Sequence, residues 1–148
     1  MNPNVKLSEQ LAILATLDPS SQAAGTATTA WVKASDFHNL MAIIDVGVFG
    51  ASATVDANLQ QATSSAGAGA KAITGKAITQ LLAGGGNDKQ ATIEIRDQDL
   101  DSANGFEYVA LNVIVGTAAT QTAAVLIGGN PVSASCASLN QAGVVQQV

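Results

Sequence analysis

The sequence predicts an all-β protein, an antiparallel β-sandwich or jelly-roll-like single domain with an extended N-terminal arm. Three observations predict it. After residue 29, apolar and polar residues alternate with period two through most of the chain, the pattern of strands with one face buried. Gly, Asn, Asp and Pro interrupt those runs at short intervals, as the turns between short strands require. A single domain of 148 residues can bury roughly two-thirds of the surface its unfolded chain exposes, so its core needs neither disulfide nor metal.

Residues 1–29 read as the arm. Ser8, Glu9 and Gln10 precede Leu11, Ile13, Leu14 and Leu17, an order suited to one short amphipathic helix with Ser8 as N-cap. The residue three beyond Ser8 is Leu11, so no capping box forms. Asp18-Pro19-Ser20-Ser21 stops the helix, because proline removes a backbone donor and restricts the residue before it. Residues 20–29 have the composition of an extended connector. The arm is either a loosely ordered terminus or a segment that orders on a neighbouring subunit.

The sandwich is expected over residues 30–130. Residues 40–48 form a continuous apolar run that fits a central strand, with Asp45 as its exception. Val55, Ala57 and Leu59 alternate with polar neighbours, as do Ile93 and Ile95. Val109, Leu111, Val113 and Val115 share one face of a longer strand, and Ala123, Val125 and Ile127 one face of another. Two short pieces flank Gly75, and residues 77–82 are the one stretch after residue 30 where a helix could sit. Gly47 with Gly50 and Ala51, residues 64–69, Gly84-Gly85-Gly86 and Asn104-Gly105 supply turns, bulges or loops. Gly128-Gly129-Asn130-Pro131 closes the domain. The tail, 131–148, reads equally as an edge strand, a second arm or disorder.

Composition restricts function. Charged residues are 11% of the chain and aromatics 3%, while hydrophobic residues reach 47%. So weakly charged a surface suits one covered by partner subunits, since charges buried at an interface cost desolvation energy. Six basic residues, scattered under a net charge of −5, argue against nucleic acid, which calls for clustered Lys and Arg. The longest apolar run, 40–49, is broken by Asp45 and falls short of the ~20 residues of a membrane span. Glu9 interrupts any signal-peptide core, so synthesis in the cytoplasm of the producing cell is expected. Cys136 is the sole cysteine and has no internal disulfide partner.

Convergent reactive groups are not legible. His38 is the only histidine, and no orienting partner or nucleophile is evident beside it in sequence. Asp97, Asp99 and Asp101 resemble the start of a calcium loop, but Ser102 stands where that loop needs Gly and Tyr108 where it needs a bidentate Glu. A solvated turn is the reading, with uptake of a cation left open. Gly84-Gly85-Gly86 leads through Lys89-Gln90 into a strand rather than a helix, which excludes a phosphate loop. Trp31 reads as a packing residue. No catalytic residue, cofactor or metal is expected.

The run Trp31-Val32-Lys33-Ala34-Ser35-Asp36-Phe37-His38-Asn39-Leu40 resembles a family of small virion proteins of tailed phages. The resemblance continues through residues 47–62, 72–81, 91–96 and the strand beginning at Phe106, and covers about residues 30 to 130. It implies a capsid decoration (cement) protein that binds the major capsid protein and itself, typically as a homotrimer, and resides on the capsid surface of the virion. Leu11, Ile13, Leu14, Leu17, Trp31, Phe37 and His38 are the expected partner-binding residues. A neck, tail or fibre-base component is the alternative within the virion. A carbohydrate- or receptor-binding sandwich using the 64–69 or 84–88 loops is the alternative of another class, although those loops hold no aromatic residue.

Overall fold

The computed structural model describes residues 4–133 and 135–148. Residues 1–3 of the expected arm and residue 134 of the expected tail lie outside the described residues. One helical turn, α1 (Leu7–Gln10), precedes β1 (Leu11–Gln22), β2 (Gly25–Thr28), β3 (Val32–Lys33), β4 (Phe37–Val46) and β5 (Thr54–Ala62). There follow β6 (Lys71–Ala77), β7 (Leu81–Leu82), β8 (Lys89–Arg96), β9 (Tyr108–Gly116) and β10 (Thr120–Pro131).

The strands form two sheets. Sheet A has the order β1-β10-β4-β8 and sheet B the order β2-β9-β5-β6, with β3 added to β9 and β7 to β5. Every pairing is antiparallel. The pairs are nested: β1 with β10, β2 with β9, β4 with β8, β5 with β6. That long antiparallel ribbon, rolled so that β10 also meets β4 and β9 meets β5, is a jelly roll. The protein is a β-sandwich of this topology.

Period two explains the layers. Leu40, Ala42, Ile44 and Val46 of β4 turn inward, as do Val55, Ala57 and Leu59 of β5 and Val109, Leu111, Val113 and Val115 of β9. With Ile93, Ile95, Ala124 and Leu126 they make one core. At ~25 cal/mol per Å² of apolar area removed from water, the Leu, Ile and Val side chains among them contribute roughly 1.5–3 kcal/mol each.

The N-terminal segment departs from expectation. The helix expected from Ser8 to Leu17 stops at Gln10, where Glu9 has accepted a hydrogen bond from the Lys6 N–H (3.0 Å). From Leu11 the chain is strand, paired with β10 as far as Gln22. The misleading spacing has a physical cause. Leu14 is an extra residue in β1, between the pairs Ile13–Ile127 and Ala15–Leu126. This bulge puts the buried Ala12 and Ala15 three apart, the interval of a helix. A second irregularity at Asp18-Pro19 lies on the same edge strand, where a missing N–H costs no ladder bond. The connector becomes β2 of sheet B.

Other differences are smaller. Residues 77–82, open to a helix by sequence, are extended and end in β7. Gly128-Gly129-Asn130-Pro131, expected to close the domain, continues β10 against Asn39 and Phe37 of β4. The tail folds back: Cys136 is fully buried, and Leu139 packs on the core. Among the described residues, no helix is long and apolar enough to cross a membrane.

Candidate protein-binding face

The two sheets differ on their outer faces. In sheet B, the residues turned away from the core include Thr26 and Thr28 of β2, Asn112 and Ile114 of β9, and Asp56, Asn58 and Gln60 of β5. Polar groups dominate there, and Thr28 donates to the Asn112 Oδ1 at 2.8 Å.

Sheet A carries apolar side chains on part of its outer face as well as inside. Its register sets the side chains in rows across β1, β10, β4 and β8: Leu11, Gly129, Asn39, Arg96; then Ile13, Ile127, Met41, Glu94; then Thr16, Val125, Ile43, Thr92. Leu11, Ile13, Val125, Ile127, Met41 and Ile43 are each half-buried, and none belongs to the core cluster or packs on it. These six form a contiguous patch, bounded by Arg96 and Glu94 on β8. Where Gly129 leaves a row without a side chain, a depression of about 420 Å³ opens among Leu11, Met41, Ile127 and Arg96. A contiguous group of apolar side chains on the outer face of a sheet is a candidate binding face.

The structure separates the expected partner-binding residues. Leu11 and Ile13 lie on this patch. Leu14 and Leu17 pack on the core instead. Phe37 is 3% exposed and fills the space over Gly128, so it is a core residue and presents no contact surface. Trp31 covers the 64–69 loop, where a Cβ placed on Gly67 would lie 2.6 Å from its Nε1. His38 is exposed at the start of β4, with Nδ1 3.5 Å from the Asp97 Oδ2. Met41, Ile43, Val125 and Ile127 were not among the expected contacts. The signal for the first two was present, since the unbroken apolar run 40–44 leaves no polar residue for an outer face.

The acidic turn is engaged by the protein itself. Asp99 accepts from the Arg96 N–H (2.9 Å) and pairs with Lys76 (3.0 Å). Those contacts, the backbone bond first, hold its carboxyl below the ordinary aspartate value. Asp101 pairs with Lys71 and accepts from Asn104, and these contacts, Lys71 first, lower its pKa likewise. Among the described residues, no three His, Cys, Asp or Glu side chains are grouped to hold a metal ion.

No family model matches the chain, and no curated protein matches it. Among solved structures it is similar to a chain of Triatoma virus, at 10% identity and TM-score 0.49, over 92% of this chain and 73% of that one. It is also similar to a chain of the cowpea mosaic virus empty virus-like particle, at 10% identity and TM-score 0.44, over 82% and 80% of the two chains. A xylan-binding module is similar at 13% identity and TM-score 0.37, over 86% and 96%. Likenesses this distant carry no argument about function.

Proposed function

We propose that this protein is a non-enzymatic virion component, a decoration protein that lays the outer face of sheet A on the major capsid protein of a tailed phage and strengthens the shell. The observation that carries the reading is the apolar patch of Leu11, Ile13, Met41, Ile43, Val125 and Ile127, mounted on a rigid jelly roll. The low charge of the chain and the resemblance of residues 30–130 to small virion proteins support the capsid as partner. The resemblance also carries self-association, as a trimer, which multiplies weak single contacts into avidity on a repeating lattice.

The experiment is a double substitution, Met41→Asp with Ile43→Asp. Both side chains point away from the core, so the circular-dichroism spectrum stays that of the parent. Occupancy on capsids of the same phage lacking this protein drops by ~30-fold or more, as for the loss of a central contact residue. Unchanged occupancy on those capsids sinks this assignment of the binding face.

A further inference from the structure

A jelly roll of two sheets has four edges, and in this molecule the tail covers one of them while two others are poor templates for a further strand. On β1, Ile13 gives its N–H to the Asn140 Oδ1 and its carbonyl to the Gln141 N–H, both at 2.7 Å. The tail therefore lies along that edge. β2 has only four residues. β6 carries Gly75 at φ +75° and a register shift against β5, which spoils it as a template. The fourth edge, β8, pairs with β4 over eight residues without a shift.

The ladder shows which groups of β8 are open. Gly47 donates to the Gln121 carbonyl on the β10 side, so Val46, Ile44, Ala42 and Leu40 turn their backbone groups towards β8. They face Lys89, Ala91, Ile93 and Ile95. The alternate residues Gln90, Thr92 and Glu94 therefore present their N–H and C=O groups outward.

A strand suited to that edge stands on the other side of the same molecule. Beyond Gln141, residues 144–148 (Val, Val, Gln, Gln, Val) pair with no strand, and Val145 is 88% exposed. The segment is uncharged and rich in β-branched residues, and the middle of the β8 edge, residues 90–93, is uncharged too. We propose that residues 144–148 of one copy add as a strand to the β8 edge of a second copy. Donor and acceptor lie on opposite edges of sheet A, so each copy gives one strand and receives one. Such a heterologous contact gives a ring where its rotation closes and an open filament where it does not, and strand addition supplies affinity through main-chain hydrogen bonds. The inference deepens the self-association proposed above and is independent of the sheet A binding face, which capsid occupancy of the Met41→Asp, Ile43→Asp variant tests separately.

Sedimentation of the purified full chain tests it. The parent is an oligomer, whereas deletion of residues 142–148 gives a monomer, and so does Thr92→Pro, which removes one outward N–H and leaves the β4 ladder intact. Val145→Asp repeats the deletion without disturbing Asn140 or Gln141, should the shortened chain misfold. Mixing the deletion variant with Thr92→Pro joins one acceptor to one donor and yields a heterodimer with nothing larger. A monomeric parent overturns the proposal, as does a deletion variant that keeps the parent's mass. A deletion variant that dimerises while Thr92→Pro does not also overturns it, and points to β8 pairing with β8 about a two-fold axis.

Discussion

Gly128 shows how closely single positions are set. It lies in β10 opposite Leu40, and a Cβ there would stand 2.7–2.8 Å from side-chain atoms of Phe37 and Leu14. Phe37 has no room to retreat because it is buried, so Gly128→Ala is expected to cost about 1–3 kcal/mol, readable as a lowered urea midpoint. Gly67 combines φ +79° with the approach of Trp31, so Gly67→Ala lowers stability and shifts tryptophan fluorescence together. The acidic turn contributes to the pH response. Asp99 and Asp101 have folded pKa values below their unfolded ones. Their stabilising effect is thus complete above about pH 5 and is lost as pH falls through the folded values, below ~4. Urea titrations across that range should show the loss in the parent and a flatter profile in Asp99→Asn with Asp101→Asn. Cys136, fully buried, has its pKa raised by that burial. A thiol reagent is therefore expected to modify it only as fast as the protein opens, and instant reaction in native buffer would contradict this placement.

At the scale of elements, the edges decide much of the behaviour. The tail holds β1 through the Asn140 side chain, the Gln141 N–H and the Gln141 side chain, which donates to the Thr16 Oγ1 at 3.3 Å, so Asn140→Ala removes the acceptor for the Ile13 N–H. A loss of about 1 kcal/mol is expected, with faster hydrogen exchange at Ile13 as the local sign. β1 also shows why its class was misread. Residue patterns report periodicity along a segment, and a bulge changes that periodicity without changing the strand. The regular strands β5, β8 and β9 are legible because their inward residues keep period two, and β4 because its apolar run is continuous. The outer face of sheet A was half legible: residues 40–44 announce apolar side chains on both faces of β4, but which residues of β1 and β10 stand beside them follows only from register. Leu11 and Ile13 reached that face, while Leu14, three positions from Leu11, did not.

At the scale of the molecule, the nested pairing joins the first strand to the last. Core closure waits on contacts of the longest sequence separation, so refolding is expected in the slow range of β topologies, milliseconds to seconds or longer. Stopped-flow fluorescence of Trp31 would check it. The sandwich presents one polar outer face and one that carries an apolar patch, and the adhesion proposed above would use the second in a fixed orientation.

The sequence by itself determined the class of the protein. Alternation and turn residues are local properties, and they specify strands, turns and a single weakly charged sandwich without reference to what packs where. Only the tertiary structure decided the placing of the N-terminal segment, the closing of β1 by the tail, and the gathering of six apolar side chains from three strands into one face. Those depend on pairing between residues distant in the chain, from Ile43 with Val125 to Ile13 with Gln141, and a chain records such pairing in no local pattern.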